Sequence, residues 1–294
     1  MRSLVAAMFT LLVVSGCSLG AGSGSSGSVL QVVAGQNFWG DIASQLGGSR
    51  ANVQSVVTDP NADPHEYESN ANDARAIANA NLVILNGAGY DGWATKLLQA
   101  SPSQSRKVLV VASLLGKKQG DNPHFWYDPD YVITVADAIT AQYKSLDGAD
   151  ATYFDQQRSA FTTALQPYME RLVEIKNKFA GVPVGATESI FVYLAGYLGL
   201  NLISPPEFMQ AAAEGNDPPA DAVVVFENQI ATKAIKVLVY NVQTATAVTT
   251  NLKIAASQRT IPLVGVSETL QPETASFQEW QTRQLVALEK ALAQ

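Results

Sequence analysis

Cysteine, histidine and charge are all scarce in this chain. One cysteine in 294 residues cannot form an internal disulfide, and one cysteine with two histidines cannot build a zinc framework of the Cys/His type. Charged residues make up 15% of the chain and the net charge is −7, with no basic stretch, which disfavours a nucleic-acid partner. Apolar residues make up 47%, which is enough for one large or two medium globular domains and speaks against disorder.

The only cysteine follows an apolar leader. The apolar stretch 4–14 contains a single threonine and is too short to cross about 30 Å of hydrocarbon as a helix, so it predicts a signal peptide over residues 1–16. The letters V-S-G-C that end at Cys17 resemble the bacterial lipobox, in which the cysteine is acylated. A Gly/Ser-rich stretch follows, and we expect residues 17–28 to tether a folded body outside the cell membrane. The alternative is an ordinary signal peptide with an incidental cysteine.

The body of the chain alternates between strand-like and helix-like patterns, which is typical of an α/β protein with parallel sheets. A long amphipathic segment that includes Pro167 divides this alternation, so we predict a lobe over 29–148, a linking helix over 149–180 and a second lobe over 181–294. Open parallel sheets bind ligands beyond the carboxyl ends of their strands, which predicts a site in the cleft between the lobes. Strands are predicted at 29–34, 53–57, 82–85, 107–112, 182–186, 201–204, 222–226, 246–249 and 262–266. Helices are predicted at 38–46, 72–80, 91–100, 188–198, 230–241 and 276–293.

The two histidines occur in matching contexts. His65 lies in D-P-H-E-Y-E and His124 lies in N-P-H-F-W, so each follows a proline and precedes an aromatic residue by two positions. Proline stiffens the backbone of a loop, and imidazole is the commonest metal-binding side chain. The alternative is a pair of ordinary loop histidines. We expect the pair to supply half of a metal site.

The other half of the site is expected from acids of the second lobe, because two histidines alone hold a metal weakly. Glu188 is the first candidate, since it follows a predicted strand and opens a predicted helix, at the edge where open sheets bind ligands. The alternative role for Glu188 is a helix-start acid that the helix dipole favours.

Glu268 is the second candidate, because it holds the equivalent place after the last predicted strand. Glu273 or Glu279 could supply the second acid instead of Glu268. Glu227, directly after the predicted strand 222–226, is a third candidate and ranks below Glu188 and Glu268.

Two neutral imidazoles and two carboxylates balance the charge of a divalent cation. Mixed nitrogen and oxygen donors suit zinc and manganese, and the pattern does not choose between them.

Four segments carry a family resemblance, and they occur in the family's order. They are D-P-H-E-Y-E at 63–68 with N-A-N-L-V-I-L-N-G at 79–87, N-P-H-F-W-Y-D-P at 122–129, T-E-S-I-F-V-Y-L-A-G-Y-L-G-L at 187–200, and V-S-E-T-L-Q-P at 266–272. Together they resemble the metal-binding lipoproteins of bacterial ABC importers for zinc and manganese, the cluster A-I substrate-binding proteins.

The resemblance implies two lobes with a long backbone helix, and one zinc or manganese ion held between the lobes by His65, His124, Glu188 and Glu268. It also implies a lipid-anchored, extracytoplasmic protein, expected to be a monomer, that delivers the ion to an ABC permease with its cytoplasmic ATPase. Family members that bind zinc often have histidine as the third metal ligand, where this chain has Glu188. They often also carry a histidine-rich loop, whereas residues 117–122 of this chain, where that loop would fall, contain no histidine. The fourth metal ligand of the family is usually aspartate, where this chain has Glu268.

Two other functions remain open on the residues alone. A metal-dependent hydrolase is the first, because a His/Glu site can activate water. Four protein ligands would fill the position that catalytic zinc keeps open, and the chain has no G-x-S-x-G, H-E-x-x-H or P-loop motif, so we expect no enzyme activity. The second is a surface adhesion module, which would need no metal.

Overall fold

The computed structural model describes residues 28–61 and 63–294. Cys17 and the predicted signal peptide 1–16 lie outside the described residues, as does the predicted tether 17–28 except for its last residue. Within the described ranges, no helix has the length and apolar character needed to cross a bilayer.

The first lobe is built on a four-stranded parallel sheet with the strand order β2-β1-β3-β4. The central strand β3 is buried along its whole length, as expected for a parallel strand covered on both faces. The strands are β1 (Leu30–Gln36), β2 (Ala51–Val57), β3 (Leu82–Leu85) and β4 (Lys107–Val110). The helices are α1 (Asn37–Gly47), α2 (Ala71–Asn79), α3 (Gly92–Ala100), α4 (Val111–Leu114) and α5 (Pro129–Leu146).

The linking helix α6 (Ala151–Phe179) confirms the prediction of one long helix. Its buried residues recur at the predicted helical spacing, and Pro167 lies inside it without ending it. The helix packs against α1 and α5 of the first lobe and against two helices of the second lobe.

The second lobe repeats the topology of the first. Its four parallel strands have the order β6-β5-β7-β8, which is the order of the first sheet. The strands are β5 (Pro183–Ala186), β6 (Asn201–Leu202), β7 (Leu238–Asn241) and β8 (Leu263–Val266). The helices are α7 (Val192–Leu198), α8 (Pro206–Ala213), α9 (Ala220–Ala231), α10 (Ala247–Gln258) and α11 (Phe277–Leu292).

One hydrophobic core runs through both lobes. It contains residues of α1 and of the 3-10 turn Phe125–Tyr127 in the first lobe, and residues of the linking helix α6. In the second lobe it contains residues of β5, α7 and α11. Side chains alternate across each strand, so the outer face of each sheet packs into a smaller, separate cluster. The predicted fold class, two parallel-sheet lobes joined by a long helix, is confirmed.

Three predictions for the second lobe are wrong. The predicted strand 222–226 lies inside helix α9, and the predicted strand 246–249 is the N-cap and first turn of α10. The predicted helix 230–241 ends almost at once, because α9 stops at Ala231, and its last four residues form β7. The helices α5 and α8 were not predicted.

Candidate metal centre

The four side chains singled out from the sequence converge between the lobes. Each offers a nitrogen or oxygen atom, and these four atoms all lie within 4.8 Å of one another. His65 lies in a 3-10 turn after β2, and His124 lies between β4 and α5. Glu188 and Glu268 each stand two residues beyond a strand, after β5 and β8. The site therefore forms where the carboxyl ends of the two sheets face each other.

The spacing of the donor atoms fits a small cation. Nε2 of His65 lies 3.3 Å from Oε2 of Glu268, and Nε2 of His124 lies 3.5 Å from Oε1 of Glu188. Nε2 of His124 lies 3.8 Å from Oε2 of Glu268. Bonds of about 2.0–2.1 Å to a tetrahedral zinc ion would put ligand atoms roughly 3.3–3.4 Å apart. Small inward shifts would therefore complete a coordination shell.

His124 is fully buried and held in one orientation. Its Nδ1 lies 2.7 Å from Oδ1 of Asn122, whose own side-chain amide donates to the backbone oxygen of Ser189 at 2.8 Å. Because Oδ1 can only accept, Nδ1 carries the proton and Nε2 is left with its lone pair toward the site. Nε2 of His124 has no hydrogen-bond partner, which is costly for a buried polar atom unless a ligand pairs with it.

The two carboxylates share a hydrogen-bond donor. Nδ2 of Asn241, at the end of β7, lies 2.8 Å from Oε2 of Glu188 and 2.6 Å from Oε1 of Glu268. Oε1 of Glu188 has no hydrogen-bond partner although it is buried. Once Glu188 has lost its proton, this oxygen and Nε2 of His124 form a pair of unpaired, electron-rich atoms that a cation would satisfy.

His65 is the exposed member of the group. Its side chain is 25% exposed, whereas those of His124 and Glu268 are fully buried. It borders a cavity of about 430 Å³ between the lobes, which is also lined by residues of α8 such as Met209 and Ala213. Access to the four donor atoms from solvent is therefore on the side of His65.

Tyr90 reaches the site from a tight turn after β3. Its hydroxyl donates to Oε2 of Glu268 at 2.5 Å. The turn begins at Gly87, which has a φ of 78°, and a Cβ there would lie 2.7 Å from Val110. Asp91 accepts hydrogen bonds from the backbone of this turn and fixes its shape.

Charges within the site shift the pKa values of His65 and Glu268 in opposite directions. Burial alone would lower the pKa of His65, but the hydrogen bond to Glu268 and the charge of that carboxylate raise it to about 9. Burial alone would raise the pKa of Glu268, but the charge of His65 and its hydrogen bond lower it to about 2. Without a metal, the two therefore form an ion pair at neutral pH.

Burial dominates the other two groups. It lowers the pKa of His124 to about 3, so this imidazole is neutral and able to bind a metal. Burial and the negative charge of Glu268 raise the pKa of Glu188 to about 8. The metal-free site thus holds two protons at neutral pH, on His65 and Glu188, and a cation that bound to both groups would have to displace both protons.

The other acids considered from the sequence lie elsewhere. Glu227 is exposed on α9 and Glu273 is exposed ahead of α11. Glu279 belongs to a capping box with Ser276 at the start of α11. The structure brings none of the three to the four donor atoms.

Three site residues were not singled out from the sequence. Asn122 stood inside the quoted N-P-H motif, so the position was visible although its role was not. Asn241 is the last residue of β7, and a polar residue at the end of a strand is a usable signal, but the sequence pattern predicts a helix over 230–241. Tyr90 has no sequence signal, because its contact with Glu268 joins residues 178 positions apart.

Two lobes that hold a buried set of nitrogen and oxygen donors between them define a metal-binding solute receptor, and comparison with known proteins gives the family. The model of the family described as zinc-uptake complex component A, periplasmic, matches residues 32–291. The chain belongs to this family. Its members are solute-binding proteins of ABC importers and not enzymes, so neither a hydrolase nor an adhesion module finds support.

Individual relatives are distant in sequence and similar in fold. The manganese ABC transporter substrate-binding lipoprotein PsaA of Streptococcus pneumoniae is 28% identical over 214 residues, which cover 67% of each chain. The manganese-binding lipoprotein MntA of Bacillus subtilis is 25% identical over 57% of this chain and 56% of its own. The structure of the periplasmic zinc-binding protein TroA of Treponema pallidum superposes with a TM-score of 0.77 at 16% identity, covering 90% of this chain and 99% of TroA.

Proposed function

We propose that this protein captures one zinc or manganese ion outside the cytoplasm and delivers it to an ABC permease with its cytoplasmic ATPase. In this proposal His65, His124, Glu188 and Glu268 are the ligands. The observation that carries it is the meeting of four donor atoms within 4.8 Å, two of them buried without a hydrogen-bond partner. The names of relatives that bind manganese and zinc support it.

The proposal extends to the ends of the chain. Residues 1–16 are a signal peptide, Cys17 carries a lipid, and residues 17–28 tether the lobes 29–148 and 181–294, with their linking helix 149–180, to the membrane. The lipoprotein names of several relatives and the lipobox-like V-S-G-C support this arrangement. In this proposal the protein acts as a monomer; all four proposed ligands come from one chain, so the site needs no second copy.

A binding titration tests the proposal. Protein stripped of metal with a chelator is titrated with zinc and with manganese by calorimetry, and we expect one ion per chain without any hydrolytic turnover. Glu227→Ala serves as the matched control, since Glu227 is an exposed acid of the same lobe as the two proposed ligands. A wild-type protein that binds neither metal, or a control variant as weak as Glu188→Ala, would refute the ligand set.

Labelling tests the anchor separately. Cells that express the full chain should incorporate a radioactive fatty acid into the protein, and Cys17→Ala should abolish the label and release the protein from the membrane. Unchanged labelling of that variant would contradict the anchor without affecting metal capture.

A further inference from the structure

The two carboxylates of the site depend on a single amide. Nδ2 of Asn241 contacts Oε2 of Glu188 and Oε1 of Glu268, and all three side chains are buried. A primary amide carries two N–H groups, so it can supply one donor to each acid. A third acceptor, Oγ1 of Thr244, lies farther away at 3.1 Å. One oxygen of each acid is thus held by Asn241.

The remaining oxygen of each acid faces the histidines. The interlobe contacts of 3.3–3.8 Å involve Oε1 of Glu188 and Oε2 of Glu268, which are the oxygens that Asn241 does not hold. Tyr90 donates to Oε2 of Glu268 as well, which uses another of its lone pairs. The site therefore presents two nitrogens and two oxygens, four donor atoms in all.

The number of donor atoms bears on the choice of cation. Zinc is bound by four nitrogen or oxygen donors in a tetrahedron, whereas manganese suits octahedral, oxygen-rich sites. Two carboxylates could raise the donor count to six if each bound through both of its oxygens. Oε2 of Glu188 and Oε1 of Glu268 are oriented toward Asn241, whereas the contacts with the histidine nitrogens involve the other oxygen of each acid. Binding through both oxygens would therefore require each carboxylate to turn out of its hydrogen bond with Asn241.

We infer that Asn241 is a specificity-determining residue, which keeps both carboxylates in one-oxygen coordination and thereby favours zinc over manganese. This inference rests on the proposed function, because it takes Glu188 and Glu268 as ligands. Asn241 itself touches the acids and not the ion, so it acts by positioning. It is placed for this role by ending β7, between the strands that lead to Glu188 and to Glu268.

The test compares Asn241→Ala and Asn241→Ser with the wild type. Dissociation constants for zinc and for manganese are measured by competition with a chromophoric chelator. Loss of an outer-shell partner costs about 10–100-fold in affinity, and we expect zinc affinity to fall by that factor while manganese affinity changes less than about threefold. Serine has one O–H and can hold only one acid, so Asn241→Ser should fall between the alanine variant and the wild type.

A spectroscopic readout separates specificity from simple loss of structure. X-ray absorption of the zinc-loaded protein should count four nitrogen and oxygen neighbours in the wild type and five or six in Asn241→Ala. Thr244→Val is the matched control, because it removes the third acceptor of Asn241 and touches neither acid. We expect it to keep the wild-type metal preference and neighbour count.

The possible outcomes separate the two claims. If Asn241→Ala weakens both metals equally and the neighbour count stays at four, Asn241 has no part in specificity. A wild-type protein with five or more neighbours around zinc would overturn the inference and leave metal capture intact. Absence of metal binding by the wild type would instead refute the proposed function. If the alanine variant does not fold, Asn241→Ser carries the same comparison.

Discussion

The two lobes have the same strand order but contribute to the site differently. In the first lobe the candidate ligands follow β2 and β4, the two edge strands, and both are histidines. In the second lobe they follow β5, an inner strand, and β8, an edge strand, and both are glutamates. The shared topology thus determines which edge of each sheet faces the cleft. The loops that follow the strands determine where each candidate ligand lies and whether its side chain is a neutral imidazole or a carboxylate.

The difference separates neutral donors from charged ones. The first lobe presents imidazoles, of which His124 is held through Asn122. The second lobe presents carboxylates joined by Asn241. Two buried carboxylates repel each other, so the second lobe depends on a cation, or on protons, for a stable arrangement. Each prediction below tests this division between the lobes.

The largest expected effect is that of pH on metal affinity. Metal must displace the protons of His65 and Glu188, whose pKa values are about 9 and about 8. Both pKa values are raised, so protons compete more strongly as the pH falls, and affinity should rise with pH and level off above about 9. Two displaced protons predict a loss on the order of 10³–10⁴-fold between pH 8 and pH 6. Calorimetry in buffers of different ionisation enthalpy would also count the released protons.

A flat affinity between pH 8 and pH 6.5 would contradict this assignment of the protons. An ordinary imidazole pKa would leave affinity constant over that interval and begin to lower it near 6.5. The pH profile therefore distinguishes a site in which Glu268 raises the pKa of His65 from one in which both histidines keep an ordinary imidazole pKa.

The next effect is loss of a buried imidazole. His124→Ala removes a donor that no neighbouring residue can replace, because the group is fully buried and its Nε2 faces the acids. We expect the dissociation constant for zinc to rise more than about 100-fold, beyond the range typical of outer-shell partners. Glu227→Ala should leave it unchanged. Similar losses in both variants would show that the first lobe does not supply a ligand through His124.

A smaller effect is expected at Asn122. Its carbonyl accepts from His124 and its amide donates to Ser189, so this side chain links the imidazole to the other lobe. Asn122→Ala removes both contacts and should weaken zinc binding about tenfold. Asn122→Asp keeps the acceptor and loses the donor, so it should retain most of the affinity but release zinc faster in stopped-flow measurements. If Asn122→Asp is as weak as Asn122→Ala, orientation of His124 is not the role of this residue.

The smallest effect is on stability. The hydroxyl of Tyr127 in the first lobe lies 2.8 Å from the backbone oxygen of Ser267 and 2.8 Å from Oε1 of Gln284 in the second. Tyr127→Phe should lower the free energy of unfolding in urea by about 1 kcal/mol, since the buried backbone oxygen of Ser267 loses its donor, whereas Oε1 of Gln284 still accepts from the backbone N–H of Ser267. Tyr153→Phe is the control and should cost less, because the hydroxyl of Tyr153, on the linking helix α6, contacts the exposed Ser49 of the first lobe. A second unfolding transition in Tyr127→Phe would show that the lobes can separate.

The first sheet could be predicted from the sequence because each of its strands contains a short run of valine, leucine or isoleucine residues, and helical patterns separate the strands. The second lobe was harder for local reasons. The V-V-V run within α9 has the composition of a strand, yet Ala222, Phe226 and Ile230 are buried at a spacing of four residues, while Val224 and Val225 are exposed. Helical periodicity therefore outweighed β-branched propensity in this segment.

Turn and cap residues explain the other differences. The sequence pattern predicts a strand at Thr246, but its side chain caps α10 through Thr249. Asp128 and Pro129, the N-cap and first residue of α5, are a recognisable helix start that was read only as part of a motif. The four candidate ligands were visible because they follow strands in short motifs. Asn241 and Tyr90 depend on contacts between distant segments, and local patterns carry no record of these.

The exposure of His65 sets an order for the exchange of cargo. An ion that arrives from solvent meets this imidazole first and must then shed its remaining water to reach the three buried donors. If the same imidazole is a ligand, we expect it to detach first when the ion leaves, because it is the exposed member of the group and its raised pKa favours a proton in place of the ion. Because the lobes share one continuous core, we expect unloading to involve a swing of this side chain and its short turn more than a wide separation of the two halves.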